Sequence, residues 1–397
     1  MTITRSRNPG LDTLRACAIA LVFMYHYSLF VAGPNPFGAV AWIGWTGVDL
    51  FFVLSGYLIS NQLFSGWARG QDLSVARFYA RRAFRTLPIF WLVLAAYAAF
   101  PAAMGGKPPV AWWRFLTFTQ NIGLQPGTAF SHAWSLCVEE QFYLVLPLVL
   151  AAAAWLVRRR VRLTRTHAWV LMGALVAVGV VARGILWQRY GREADGHADG
   201  YMPWIYYATL CRFDEFIPGI AVAMLKNFHR PAWERLMARG GLLSALGGAA
   251  VATMLTLAHF FYDIRGYGWG FFMTTFGYSL VALSFSLLVA AALSPSARIL
   301  QWRIPGAGRI ALWSYAIYLS HKPLAMFLGR QLAPLEISGA AQLAIITLAC
   351  IVVGGLLHKL VEAPFMALRD RLVPSNFRDG ARPALPRAAA EGLTGSL

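Results

Sequence analysis

Residues 11–27, "LDTLRACAIALVFMYHY", decide which solvent this chain is written for. Most of the stretch suits lipid, yet Asp12 and Arg15 stand near one end and His26 near the other. A helix of about 20 apolar residues crosses a bilayer, and an ionisable group at its centre costs roughly 2.5–3.5 kcal/mol unless it faces protein or water. The stretch therefore predicts a membrane helix with one face turned inward. Eleven positions separate Arg15 from His26, about three turns plus 20 degrees, so both fall on that face, about 16 Å apart along the axis.

The whole chain agrees. Its 397 residues are 58% hydrophobic, 14% aromatic and only 13% charged, too apolar for a soluble chain of this length. Apolar runs of about 20 residues fall near 11–32, 40–64, 86–103, 133–157, 168–187, 203–225, 240–262, 271–293, 308–330 and 338–362. The expectation is an all-α polytopic membrane protein of about ten transmembrane helices. The net charge of +18 would suit a nucleic-acid partner in a soluble protein. Its placement decides otherwise. With Arg5 and Arg7 inside, the inner loops and tails hold 24 of the 35 lysines and arginines, the outer loops 6 and the spans 5. That asymmetry sets both termini in the cytoplasm and explains the charge without RNA or DNA.

Residues 1–10 read as a cytoplasmic tail, 11–366 as one membrane domain, and 367–397, rich in Pro, Gly and Ala, as a disordered cytoplasmic tail. Arg15 and His26 argue against a cleaved secretory signal at the N-terminus. Cys17, Cys137, Cys211 and Cys350 all lie in spans, where cysteine behaves as a small apolar residue, so neither a disulfide nor a metal is expected. No internal repeat is visible, which weakens a transporter built from inverted halves.

Polar residues inside the spans cluster. "GWTGVDLFFVLSGYLIS" holds Asp49 and Ser55 among glycines, and "RFYARRAFRTLP" sets Arg82 and Arg85 one turn apart at a membrane boundary. Boundary arginines are commonly plain anchors; a pair on one face also suits a phosphate-bearing ligand. "SHAWSLCVEEQFYL" places Glu139 and Glu140 six or seven residues from the outer surface, a depth like that of His26, so that one of them could orient the imidazole. Arg212, Asp214 and Glu215 in "CRFDEFIPG" read as a structural trio. "WSYAIYLSHKPL" brings His321 and Lys322 near mid-membrane ahead of Pro323, with His321 an ambiguous second candidate.

These motifs, in this order and with the closing "VEAPF", resemble the acyltransferase-3 family of membrane acyltransferases over residues 11 to about 366. Thr13 stands where the family commonly has Gly, and Ser320 where an apolar residue is frequent. Many relatives carry a further extracytoplasmic hydrolase-like domain, which this sequence does not include. The resemblance implies transfer of an acyl group, acetyl foremost, from cytoplasmic acyl-CoA as co-substrate to a hydroxyl of a carbohydrate or glycoconjugate in the bacterial envelope, at the inner membrane and in contact with the lipid bilayer, without a metal. On that reading Arg15, Arg82 and Arg85 hold the phosphates of CoA. His26 serves as general base, with Glu139 or Glu140 fixing its tautomer, or as an acyl-accepting nucleophile. Trp134, Ser135 and Tyr143 line the acceptor side, with Asp49, Ser55 and His321 as further substrate contacts. The rival reading is a proton-coupled exporter or flippase of a lipid-linked sugar, in which His and Glu relay protons.

Overall fold

The computed structural model describes residues 8–31, 35–108, 110–191, 200–264 and 268–378. It is a bundle of helices, α1 (Pro9–Phe30), α2 (Ala39–Trp42), α3 (Thr46–Ala68), α4 (Val75–Ala99), α5 (Trp112–Leu116), α6 (Trp134–Arg158), α7 (Arg165–Tyr190), α8 (Thr209–Arg212), α9 (Ile217–Phe228), α10 (Arg230–Met237), α11 (Gly240–Phe261), α12 (Tyr278–Leu293), α13 (Ala307–Leu332), α14 (Gly339–Leu357) and α15 (Ala363–Leu372). The only extended pairing among the described residues that forms strands joins β1 (Asp263–Ile264) antiparallel to β2 (Gly268–Trp269).

Seven helical segments are long and apolar enough to cross a membrane, at Pro9–Phe30, Thr46–Ala68, Ser131–Arg158, Arg165–Tyr190, Gly240–Phe261, Met273–Leu293 and Gly339–Leu372. The chain is an all-α polytopic membrane protein. The three other apolar runs of the sequence fall on α4, on the broken stretch from 202 to 228 and on α13, whose interiors carry Arg, Asp, Glu, His or Lys.

α3 is the pillar, buried over most of its length, with α1, α9, α12 and α6 against it. Glycine lets backbones meet there. A methyl built on Gly219 of α9 would fall on the Val53 carbonyl and 2.7 Å from the Tyr57 nitrogen of α3, so only hydrogen fits. At the periphery, Val145, Leu148 and Val149 of α6, Val178, Val181 and Ile185 of α7, and Leu348, Val352 and Leu356 of α14 point outward at helical spacing, a surface suited to lipid.

Charges between α3, α7 and α8 are paired, as suits lipid depth. Arg212 pairs with Glu215 and, at 3.3 Å, with Asp49. Asp214 instead grips Arg183 of α7 at 2.6 and 3.0 Å, and that arginine also donates to the Thr275 carbonyl. The trio read from "CRFDEFIPG" thus takes part in three ion pairs, which tie α8 and the turn before α9 to α3 and α7. Asp49, expected at a substrate site, is fully buried in this network and borders neither cavity described below. The C-terminal tail also differs from expectation over its first residues. Helix α15 runs to Leu372 and residues 373–378 pack against the α3–α4 turn; the rest of that tail, and residues 1–7 of the N-terminal one, lie outside the described residues.

Candidate functional site

Two cavities share a wall. The larger, about 470 Å³, opens between α3, α4, α6 and α13. Five arginines line it, Arg15 from α1, Arg81, Arg82 and Arg85 from α4 and Arg369 from α15, against two glutamates, Glu139 and Glu140. Helical spacing on α4 turns its arginines to one side. The three on α4 are each held by an acid, Arg81 by Asp370 at 3.1 Å. Arg82 lies 3.7 Å from Glu140 and its guanidinium rests 3.9 Å over the Tyr143 ring, while Arg85 meets the buried Glu362 at 3.2 Å. Ser55 donates to Glu139 at 2.5 Å and accepts from the Tyr143 hydroxyl at 3.0 Å. The surplus of fixed guanidinium charge, partly screened from water, suits an anion with several phosphate oxygens.

The second cavity, about 330 Å³, is lined by His26, His132, Ser131 and Lys322 among aromatic walls of Tyr25, Phe30, Trp45, Trp134, Tyr206 and Tyr207. His26 Nδ1 lies 2.7 Å from Nε2 of His321. The protons on this pair follow from the backbone. His321 Nδ1 faces the carbonyls of Ile317 and Tyr318 at 3.1 and 2.8 Å, and carbonyls only accept, so Nδ1 carries the proton. A neutral His321 then accepts at Nε2, and His26 must donate from Nδ1. What is left on a neutral His26 is a lone pair at Nε2. The arrangement does for an imidazole what a carboxylate does in a hydrolase triad, fixing tautomer and orientation.

His132 completes a cluster of three rings, its centroid 6.2 Å from that of His26 and 5.5 Å from that of His321. Its place is set by Pro323, which has no N–H and leaves the Leu319 carbonyl of α13 without its helical donor. His132 Nε2 donates to that carbonyl at 3.2 Å, leaving its Nδ1 buried and without a partner among the described residues. Lys322 is anchored by the Thr128 carbonyl and the Ser131 hydroxyl, both at 3.0 Å. No group of three His, Cys, Asp or Glu able to hold a metal occurs among the described residues.

Tyr318 borders both cavities. Its hydroxyl donates to the His132 carbonyl at 2.5 Å, so the 2.6 Å contact with Ser135 is a bond that Ser135 donates. Tyr318 and Ser135 thus form the septum. The helix that opened the sequence reaches both sides of it, Arg15 lining the first cavity and His26 the second.

The structure brings Arg15, Arg82 and Arg85 into one cavity and Ser55 with them; Ser135 and Tyr143, expected beside Trp134 on the acceptor side, also line this cavity, because successive turns of α6 face different neighbours, while Trp134 lines the second cavity and His321 touches His26. It does not bring Glu139 or Glu140 to His26. Similar depth on two helices is not contact, and these carboxylates turn to Ser55 and Arg82 on the other side of Tyr318. The partner of His26 is His321. His132 and Tyr318 were not singled out from the sequence. One signal was present, since the carbonyl four residues before Pro323 needs a donor from elsewhere.

The acyltransferase domain family matches residues 8–359. Among curated proteins, the chain is 25% identical over 347 residues to the peptidoglycan O-acetyltransferase OatA of Listeria monocytogenes, covering 81% of this chain and 50% of that protein. It is 24% identical over 348 residues to the O-acetyltransferase OatA of Staphylococcus aureus, covering 80% of this chain and 51% of that one. The chain spans about half the length of these relatives. No solved structure matches it significantly.

Proposed function

The chain belongs to this family of acyltransferases, and from that premise we propose that it is an integral membrane O-acyltransferase that moves an acetyl group from cytoplasmic acetyl-CoA to a hydroxyl of a cell-envelope carbohydrate. The observation that carries the proposal is the pair of cavities meeting at Tyr318 and Ser135, one cationic and one aromatic and histidine-lined. CoA is a polyanion on a long thin arm. Arg15, Arg82 and Arg85 hold its phosphates, and the arm leads its thioester to the septum. Glu139 and Glu140 act here, keeping Ser55 and Arg82 in place. Aromatic walls such as Trp134 and Tyr206 suit the apolar faces of sugar rings, and His132 and Lys322 offer hydrogen bonds to hydroxyls.

Transfer then needs the septum side chains to part. His26 Nε2 takes the proton of the acceptor hydroxyl as its oxygen adds to the thioester carbonyl; the C–S bond breaks and the thiolate of CoA recovers the proton from the imidazolium. The alternative is attack by Nε2 on the thioester carbonyl, which breaks the C–S bond, expels the thiolate of CoA and leaves an acyl-imidazolium; the acceptor oxygen then takes the acyl group, frees Nε2 and gives its proton to the thiolate. His321 sets the tautomer in either course. The 24 to 6 distribution of basic residues supports a ten-span reading with the arginine cavity at the cytoplasmic face, and the similarity to bacterial O-acetyltransferases supports a bacterial cytoplasmic membrane. The similarity to peptidoglycan O-acetyltransferases makes a wall polymer the first acceptor to try.

Purified full-length protein in nanodiscs, given radiolabelled acetyl-CoA and muropeptides or other envelope glycans, is expected to transfer label to the glycan. Failure to bind CoA, read by thermal shift, would overturn the proposal and favour the lipid-linked sugar exporter, which has no use for that ligand.

A further inference from the structure

Residues 373–378 form a strap across the end of the bundle where α3 turns into α4. Phe377 pairs antiparallel with Leu73, the Ser74 N–H donates to the Asn376 carbonyl at 3.0 Å and the Arg378 N–H to that of Asp72 at 2.9 Å. Arg77 donates to the Phe377 carbonyl at 2.9 Å, and Arg81 to that of Val373. The Phe377 ring sits over Gly66, where a methyl would lie 2.6 Å from its Cε2. All these holds use the strap's backbone or the Phe377 ring. None uses the side chain of Asn376.

Asn376 is nonetheless one of the residues bordering the arginine cavity. The residue is 5% exposed, and its Oδ1 is buried with no hydrogen-bond partner among the described residues. Buried amide oxygens in proteins are nearly always bonded, so one left unpaired in a residue that borders a cavity points to a ligand that supplies the donor. It lies outside the residues matched by the family.

Resting on the reading of this cavity as the acyl-CoA site, we propose that Asn376 is a binding residue for the nucleotide half of the donor, its Oδ1 accepting a hydrogen bond from the exocyclic amine of adenine. The thioester has to reach Ser135 and Tyr318 at the far end, so the nucleotide is left at the strap. The arginines offer only donors, which serve phosphate oxygens but not an amine. Glu139 and Glu140 are engaged with Ser55 and Arg82, whereas the carboxamide at the strap offers an uncommitted acceptor, and its own NH₂ matches the neighbouring ring nitrogen of adenine.

The test compares acetyl-CoA with S-acetyl-phosphopantetheine, which lacks the nucleotide, on full-length wild-type protein and Asn376→Ala in nanodiscs. The variant is expected to bind acetyl-CoA about five- to tenfold more weakly, raising KM with kcat unchanged, and to bind the truncated donor as the wild type does. An equal loss on both donors, or no loss on either, would overturn the assignment. A loosened strap would weaken both donors and a lost adenine contact only one, so the comparison decides even if the ligand-free Tm of the variant falls. Wild-type protein that binds neither donor would instead sink the donor reading itself.

Discussion

On the proposed function, the two cavities solve opposite problems with the same helix. In the first, α1 contributes Arg15 to a wall of guanidinium groups held by acids and an aromatic ring. In the second, it contributes His26 to a relay held by backbone carbonyls. Recognition of an anion needs groups that keep their charge, and carboxylate partners help them do so. Proton transfer needs a group that stays neutral with its lone pair on a known atom. A carbonyl fixes which nitrogen bears the proton without adding a full charge to low-dielectric surroundings, where a carboxylate beside His26 would carry a larger desolvation cost.

Substitutions should therefore separate the halves. His26→Ala is expected to lower acetyl transfer by about 10³-fold while CoA binding and Tm stay near wild type; substantial transfer would remove His26 from the reaction. His321→Ala, which frees His26 to adopt either tautomer, should lower kcat by roughly 10²- to 10³-fold and leave the Kd for CoA unchanged. If CoA affinity falls instead, the cavities are not independent. Arg82→Ala is the converse, with Kd for CoA raised about 10- to 100-fold by calorimetry and kcat at saturating donor little altered. Tyr318→Phe deletes the hydroxyl that joins the halves, so transfer and CoA affinity should each change by less than about tenfold. A large effect confined to one of them would assign the septum to that cavity alone.

The membrane fold was legible because the solvent is: long apolar runs and the bias of arginines toward one set of loops survive without any knowledge of packing. The clustering of arginines was legible too, since Arg82 and Arg85 share a helix and their spacing fixes their face. The partner of His26 was not. It lies 295 positions away in sequence, and depth along a helix says nothing of azimuth, so Glu139 and Glu140, set at the depth of His26, stood ahead of His321 nearer mid-membrane. Asp49 misled for a related reason. A carboxylate in a span must be satisfied, and the sequence does not tell a ligand from the buried Arg212.

Pro323 and His132 have a joint consequence. The missing N–H of the proline leaves a carbonyl that the imidazole takes up, so a gap in one helix serves as the fastening for a ring at the start of another. Restoring an N–H at position 323 would hand the Leu319 carbonyl back to its own helix and let the ring turn over. Neither residue can be exchanged singly at no loss, and in a lineage of such proteins the two are expected to be kept or abandoned together.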